Sequence, residues 1–290
     1  MTIGPAGTHT PTVHPRTLRL AAFIAVIVLI SGQGAWAQAA PGTTFLGMAV
    51  ATGISTDGNG LTVLDGVHYA VSSAQMPVTE DLQLYTRWSG SGSHTIGVRI
   101  VDRSTGDSIA ETTDDLDFGS DPVTYFTHDF SGTSFPSNGA YAIEVTLDGA
   151  TAATYAFFVN ADDQMPASPA FVLSVPAESG SVDDRGNASV AGIFEYFTFS
   201  SLPATDTFSI VTIWFSGDGQ FDHRVQILDT AGKTVAESRR STLTAHRGRM
   251  SVSTDAFDSI AFPSVGVYDA VVFLDGEKVF AFPLVVRRSP

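Results

Sequence analysis

The stretch Phe135-Pro136-Ser137-Asn138-Gly139-Ala140-Tyr141, running on to Leu147-Asp148-Gly149, returns as Phe262-Pro263-Ser264-Val265-Gly266-Val267-Tyr268, running on to Leu274-Asp275-Gly276. Nine of the fifteen aligned positions are identical, and 127 residues separate the two copies. That period is too long for a solenoid unit and fits a whole domain, so the chain is a tandem duplication. The first copy spans residues 43–160 and the second 171–288. Between them, 161–170 reads as a linker with two prolines and no apolar period. The alignment extends beyond the motif: Pro77 matches Pro203, Trp88 matches Trp214, and Val98-Arg99-Ile100-Val101-Asp102 matches Val225-Gln226-Ile227-Leu228-Asp229 after a one-residue indel.

Each copy divides into short alternating runs separated by turn residues, and no stretch keeps a helical period. In the second copy these runs are 171–175, 190–200, 207–216, 224–229, 234–238, 250–256, 267–274 and 279–286. Seven or eight strands per copy predict an all-β chain of two tandem Ig-like antiparallel β-sandwich domains. Asp148-Gly149 and Asp275-Gly276 predict tight type I′ hairpins. Gly90-Ser91-Gly92-Ser93 and Gly217-Asp218-Gly219 read as hairpin loops too. The duplicated motif then takes a folding role. Phe135 and Phe262 close a core face, and Tyr141 and Tyr268 resemble the tyrosine corner of Ig-like sandwiches.

Gly192-Ile193-Phe194-Glu195, Leu202-Pro203, Val225-Gln226-Ile227-Leu228-Asp229 and the Gly-x-Tyr…Leu-Asp-Gly ending together resemble a group of uncharacterised bacterial single-domain β-sandwich proteins, known only as a domain of unknown function. The likeness covers most of each repeat and rests on turn and core residues. It implies the fold and no catalytic residue. The first copy departs in part, with Asp65-Gly66-Val67-His68 at the equivalent place.

Ahead of the duplication, Arg16 and Arg19 precede an apolar run from Leu20 to Ile30, and Ala35-Trp36-Ala37 follows. This is the pattern of a secretory signal peptide over residues 1–39, cut after Ala37 or Ala39. Eleven apolar residues rise only about 17 Å as a helix, short of a bilayer's roughly 30 Å core, so no membrane span is expected after signal removal. The expected location is secreted or periplasmic. The chain carries 15 basic and 30 acidic residues and no cysteine. Polyanions are repelled by that balance, which argues against nucleic acid, and disulfides and thiol chemistry are absent.

Duplicated domains share what folding needs, so their differences direct the search for function. In the first copy Leu82, Leu84, Thr86 and Trp88 alternate with Gln83, Tyr85, Arg87 and Ser89, a core face and a wet one. The second copy keeps the core pattern but places Val211, Ile213 and Phe215 at the alternate positions. Aligning His68, Ala70 and Ser72 with Glu195, Phe197 and Phe199 adds two phenylalanines to that apolar face. The face is expected to be covered, either within the chain or by a partner. Charge differs as well. Residues 40–165 hold 3 basic against 16 acidic residues, and residues 166–290 hold 10 against 14. Thr113-Asp114-Asp115-Leu116-Asp117 reads as an acidic loop where the second copy has Arg239-Arg240-Ser241-Thr242. Two solvated loops is the simpler expectation; pairing within the chain or head to tail between chains is the alternative.

Recognisable catalytic chemistry is missing from the sequence. The histidines past the signal (His68, His94, His128, His223, His246) form no metal-binding pair, and none recurs in the other copy. Asp222-His223 sits on opposite strand faces and reads as two exposed polar residues. No nucleophile elbow, Walker loop or dinucleotide fingerprint occurs. Asp57-Gly58-Asn59-Gly60, Asp183-Asp184-Arg185-Gly186-Asn187 and Asp114-Asp115-Leu116-Asp117 offer oxygen ligands, but none completes a calcium loop, and no cofactor is expected. The sequence thus points to an exported, non-enzymatic protein acting by protein–protein contact or self-association, with a small-ligand or glycan-binding module as the alternative.

Overall fold

The computed structural model describes residues 42–289, so the signal peptide expected over residues 1–39 lies outside the described residues. The first domain runs β1 (Thr44–Ala51), β2 (Gly53–Thr56), β3 (Thr62–Val67), β4 (Ala70–Val71), β5 (Val78–Ser89), β6 (Ser93–Asp102), β7 (Ser108–Asp117), β8 (Val123–Phe135), β9 (Gly139–Leu147) and β10 (Ala150–Val159). The second repeats it as β11 (Ala170–Ala177), β12 (Ser179–Val182), β13 (Ala188–Ile193), β14 (Tyr196–Phe199), β15 (Ala204–Phe215), β16 (Gly219–Leu228), β17 (Thr234–Glu237), β18 (Ser241–Ala245), β19 (Met250–Phe262), β20 (Gly266–Leu274) and β21 (Glu277–Arg288). In each domain a three-stranded sheet (β1-β5-β8; β11-β15-β19) packs on a larger one (β4-β10-β9-β6-β7; β14-β21-β20-β16-β17, with β18 also on β16). This is an Ig-like sandwich. All pairings are antiparallel except β4–β10 and β14–β21.

The local signals act as expected at several points. Asp148, Gly149, Asp275 and Gly276 all take positive φ, and each Asp-Gly joins a paired hairpin. Tyr141 donates its hydroxyl proton to the Ser137 carbonyl at 2.8 Å, and Tyr268 does the same to Ser264 at 3.1 Å. Both rings meet the motif phenylalanine edge-on, at 4.9 and 5.3 Å. The Gly90–Ser93 and Gly217–Gly219 segments, by contrast, are not hairpins: β5 and β6 lie in different sheets, as do β15 and β16, so each turn crosses the sandwich.

Between its first strand and its short parallel strand, each domain inserts a hairpin, β2–β3 and β12–β13. The run 190–200 is accordingly not one strand. It breaks at Phe194-Glu195 into β13 and β14, which belong to different sheets. The two inserted hairpins join into one four-stranded sheet, β12-β13-β3-β2, shared by both domains. Its central register pairs Ala188 with Val67, Val190 with Leu64 and Ile193 with Thr62. Thr62, Leu64 and Val67 align with Ala188, Val190 and Ile193 in the duplication, so residue i meets j and j meets i. That reciprocity defines an approximate two-fold axis, as in an isologous dimer.

The same axis governs the packing below. Bulges in β1 (Phe45/Gly47) and β11 (Phe171/Leu173) turn Leu46 and Val172 outward. Leu46 and Val123 of the first domain join the second domain's core, while Val172 and Met250 join the first's. A β-carbon on Gly47 would lie 2.9 Å from Leu173 Cδ1, so β1 and β11 meet edge to edge. The linker is not a free tether. Ser216 Oγ and the Gly217 amide both donate to the Pro166 carbonyl, at 2.6 and 3.2 Å, and Met165 is buried.

Candidate functional site

The seam between domains holds the most concentrated polar chemistry. Alternation puts Tyr85 and Arg87 on a wet face, but both are 0% exposed because the second domain covers them. Glu195, at the break between β13 and β14, meets them there. Arg87 Nε donates to its Oε2 at 2.8 Å, Nη2 lies 2.7 Å from the same oxygen, and the Tyr85 hydroxyl donates to Oε1 at 3.2 Å. The Arg87 guanidinium also lies 5.3 Å from the Phe282 ring centroid. Burial pushes the Tyr85 pKa well up, and the Glu195 charge adds to it. For Arg87 burial works downward, yet the carboxylate outweighs it and the net direction is up. Arg87 and Glu195 align with Ile213 and Tyr69, so the ion pair occupies one of two equivalent places, and the other is filled by two residues of the first domain's buried apolar cluster.

At the rim of the seam Tyr125, 41% exposed, stacks on Tyr85 with centroids 5.3 Å apart. Arg287 lies 3.8 Å over the Tyr196 ring and pairs with Asp121 of the first domain at 3.0 Å. Burial first, then the Asp121 charge, push Tyr196 up to about 12.

The five apolar residues singled out above do not form one face. Val211, Ile213 and Phe215 point outward from the second sandwich and are buried within the chain. Gly180 of the shared sheet presses on Val211, and Phe215 packs against Tyr69 and Phe158 at 5.8 and 5.7 Å. Phe197 and Phe199 face the other way. β14 pairs Phe197 with Val286, as β4 pairs Val71 with Val159, so Phe197 aligns with Val71 and not with Ala70. A one-residue slip exchanges strand faces. Phe197 is accordingly core, 4.6 Å from Phe208, and half-buried Phe199 lies 5.8 Å from Phe262. None of Val211, Ile213, Phe215 and Phe197 is left for a partner.

The acidic stretch is likewise no loop. Asp114, Asp115 and Asp117 lie on β7, the outermost strand of its sheet. Asp114 turns toward the sandwich and meets buried His128 at 3.1 Å, whereas Glu111, Asp115 and Asp117 are exposed. In the second domain the equivalent strand is interrupted. Ser238 fills the gap, exchanging hydrogen bonds with Val225 at 2.8 and 2.9 Å, and Arg239 and Arg240 project into solvent. Among the described residues neither arginine pairs with a carboxylate, so these segments do not meet within the chain. Among the described residues the charge contacts between the domains are Arg87–Glu195 and Arg287–Asp121 instead.

Three His–Asp pairs have no sequence signature. Besides His128–Asp114, His223 Nδ1 approaches Asp255 Oδ2 at 3.2 Å inside the second sandwich. His223 is thus a core residue, not an exposed one, while its neighbour Asp222 is exposed. Asp255 occupies the position of His128, 127 residues earlier, so the two domains bury unlike polar pairs at related places. His94 Nδ1 lies 2.8 Å from Asp148 Oδ2, and its Nε2 lies 3.0 Å from Thr43 Oγ1. That order resembles a nucleophile relay, but Thr43 is 4% exposed and Gly90 packs against it, so a substrate carbonyl has no approach. The trio clamps the start of β1 to two turns. Two of the acidic stretches with oxygen ligands are hairpin closures: Asp57 Oδ1 accepts from the Asn59 and Leu61 amides and Asp183 Oδ1 from the Asn187 amide. Among the described residues no group of three or more potential metal ligands occurs, nor any helix long and apolar enough to cross a membrane.

With this geometry in place, the comparisons define the class. A model of the Family of unknown function (DUF6941) matches residues 47–160 and again residues 174–287. The chain belongs to this family, in two tandem copies. No curated protein sequence matches it significantly. Similar solved structures include a glycosyl hydrolase family 2 member from Bacteroides cellulosilyticus DSM 14838 (12% identity, TM-score 0.32, 74% of this chain and 28% of that one). Another is a Bifidobacterium dentium beta-glucuronidase complexed with coumarin-3-O-glucuronide (11% identity, TM-score 0.29, 85% and 48%). The chain spans less than half the length of either, and likeness at that level carries no functional argument.

Proposed function

We propose that this chain is an exported, non-enzymatic protein of the periplasm or the cell exterior that acts by protein–protein contact as one fused two-sandwich body. The carrying observation is the pair of unlike sheet edges: Glu111, Asp115 and Asp117 on β7, and Arg239 and Arg240 beside β17 and β18. Among the described residues these charges form no ion pair, and opposed charged patches set the specificity and rate of protein association more than its raw strength. Photo-crosslinkers placed at Asp115 and at Arg240 in intact cells are expected to capture protein adducts; adduct-free protein at both positions would sink the reading. Export is tested on the same material. The mature N-terminus should begin after Ala37 or Ala39, and an intact Met1 in the soluble fraction would contradict it.

A glycan or small-ligand reading rests on one feature, the exposed Tyr125 ring stacked on Tyr85 at the edge of the seam. A glycan array with the parent and Tyr125→Ala separates the two. Binding lost in the variant favours the ligand, and an array without signal leaves protein contact.

A further inference from the structure

We infer that the partner of the two unlike edges is a second copy of this chain, joined head to tail, with β7 of one molecule beside β17–β18 of the next. This rests on the reading of those edges as contact surfaces and adds the identity of the occupant.

Three observations converge. The first is position. In each large sheet β4 or β14 lies at one end, next to the seam, and β7 or β17 lies at the other. The approximate two-fold axis therefore relates the two edges, and among the described residues their charges form no ion pair with each other within one chain. The second is an open ladder: among the described residues β7 pairs only with β6, and β17 and β18 pair only with β16, so no further strand bonds their outer edges, although the Thr244 carbonyl of β18 accepts from Ser251 Oγ at 3.1 Å. Such edges are templates for another strand unless charge forbids it.

The third is the sign of that charge. Two β7 edges would set Glu111, Asp115 and Asp117 against their like, and two β17–β18 edges would oppose arginines, so both symmetric pairings are repelled. The unlike pairing alone brings acid to base. Glu237, the nearest carboxylate, is held by Arg224 at 2.7 Å and Gln226 at 2.9 Å and also feels Arg240, but one carboxylate against Arg224, Arg239 and Arg240 leaves that edge basic. Ser238 fixes the interruption from which they project. A contact between different patches is heterologous, so each junction leaves a free β7 and a free β17–β18 edge, and the product is a ring where the rotation per copy closes and an open string where it does not.

Sedimentation velocity of the mature chain across a concentration series tests this. At low salt a concentration-dependent series of oligomers is expected, collapsing to monomer at 1 M salt, where the Debye length is about 3 Å. The double variant Arg239→Glu/Arg240→Glu makes both ends acidic, and Asp115→Arg/Asp117→Arg makes both basic. Each alone should associate at least tenfold more weakly than the parent, and an equimolar mixture of the two should regain association. All four positions are exposed, and unchanged melting curves will confirm intact folds. A parent that stays monomeric throughout overturns the proposal, while crosslinks to another protein at Asp115 or Arg240 would still sustain the broader contact reading. Association that is indifferent to both double variants overturns it equally.

Discussion

Glu195→Tyr places at the seam the residue that the sister position already carries, Tyr69, and leaves Arg87 without its carboxylate. The guanidinium is 0% exposed, and among the described residues its Nη1 has no hydrogen-bond partner. Removing one member of a buried pair strands the other charge at a cost of about 3–5 kcal/mol. For a body of this size that lowers Tm by on the order of 10 °C. Arg87→Ile, again the sister residue, strands a carboxylate that is 11% exposed, at a smaller cost of about 1–3 kcal/mol. The double variant puts the Ile213 and Tyr69 residue types in the mirror position, and replacing a buried ion pair by packed apolar groups is often neutral, so it should lie within about 1 kcal/mol of the parent. Urea unfolding of the four proteins closes the cycle, with an expected coupling of at least about 3 kcal/mol. Two single effects that simply add, with coupling under about 0.5 kcal/mol, would refute the assignment of this ion pair as the asymmetric lock of the seam.

Tyr141→Phe should cost more than Tyr268→Phe, about 1–2 against about 0.5–1.5 kcal/mol in urea titrations, because the Tyr141 hydroxyl also accepts from the Ser137 amide at 3.1 Å. Gly47→Ala should destabilise by about 1–3 kcal/mol in the same assay, since φ is +141° and the new carbon would meet Leu173 Cδ1 at 2.9 Å. The Asp148 hydrogen bond raises the His94 pKa above its ordinary 6.5, so the stability it contributes is full below that value and is lost as pH rises through the folded-state value. His94→Phe, the residue of the sister domain at Phe221, should remove that alkaline-side decline in a melting profile against pH. His128 carries the opposite sign. Burial first lowers its pKa, so its contribution is full above the ordinary value and fades as pH falls, and His128→Phe should flatten the acid side of the same profile.

Hairpins and corners were legible in the sequence because their causes are local. Asp-Gly needs only two residues with positive φ, and the tyrosine corner closes over four positions. Domain count was legible because duplication repeats those local signals. Phe197 was misplaced for a different reason: with a period of two, a one-residue indel assigned to the wrong side of β14 inverts every face upstream. Tyr85 and Arg87 were read as wet because alternation reports which residues face the domain's own core and is blind to a second body laid over the outer face. The inserted hairpins were missed because β2 and β12 are four residues long and nearly free of large apolar groups. The pairing that joins the two hairpins, β3 with β13, links residues more than a hundred positions apart. His223–Asp255 escaped notice since no local pattern marks a polar pair brought together from two sheets. The charged stretches at Asp114–Asp117 and Arg239–Arg240 were found by comparing copies, although their setting as sheet edges was not.

The shared sheet has a consequence for how the chain meets other copies of itself during folding. Every contact across the seam would form equally well if the first half came from one chain and the second half from another, so domain exchange is open to nascent molecules at high concentration. What opposes it is the connection itself. Joined by a short segment, the two halves see each other at an effective concentration in the millimolar range, far above that of a neighbouring chain. The bonds that Ser216 and Gly217 donate to the Pro166 carbonyl bend that segment back onto its own second half. Ser216→Ala would loosen this bend, and the exchanged dimer is the species to look for when such a variant is refolded from concentrated denaturant.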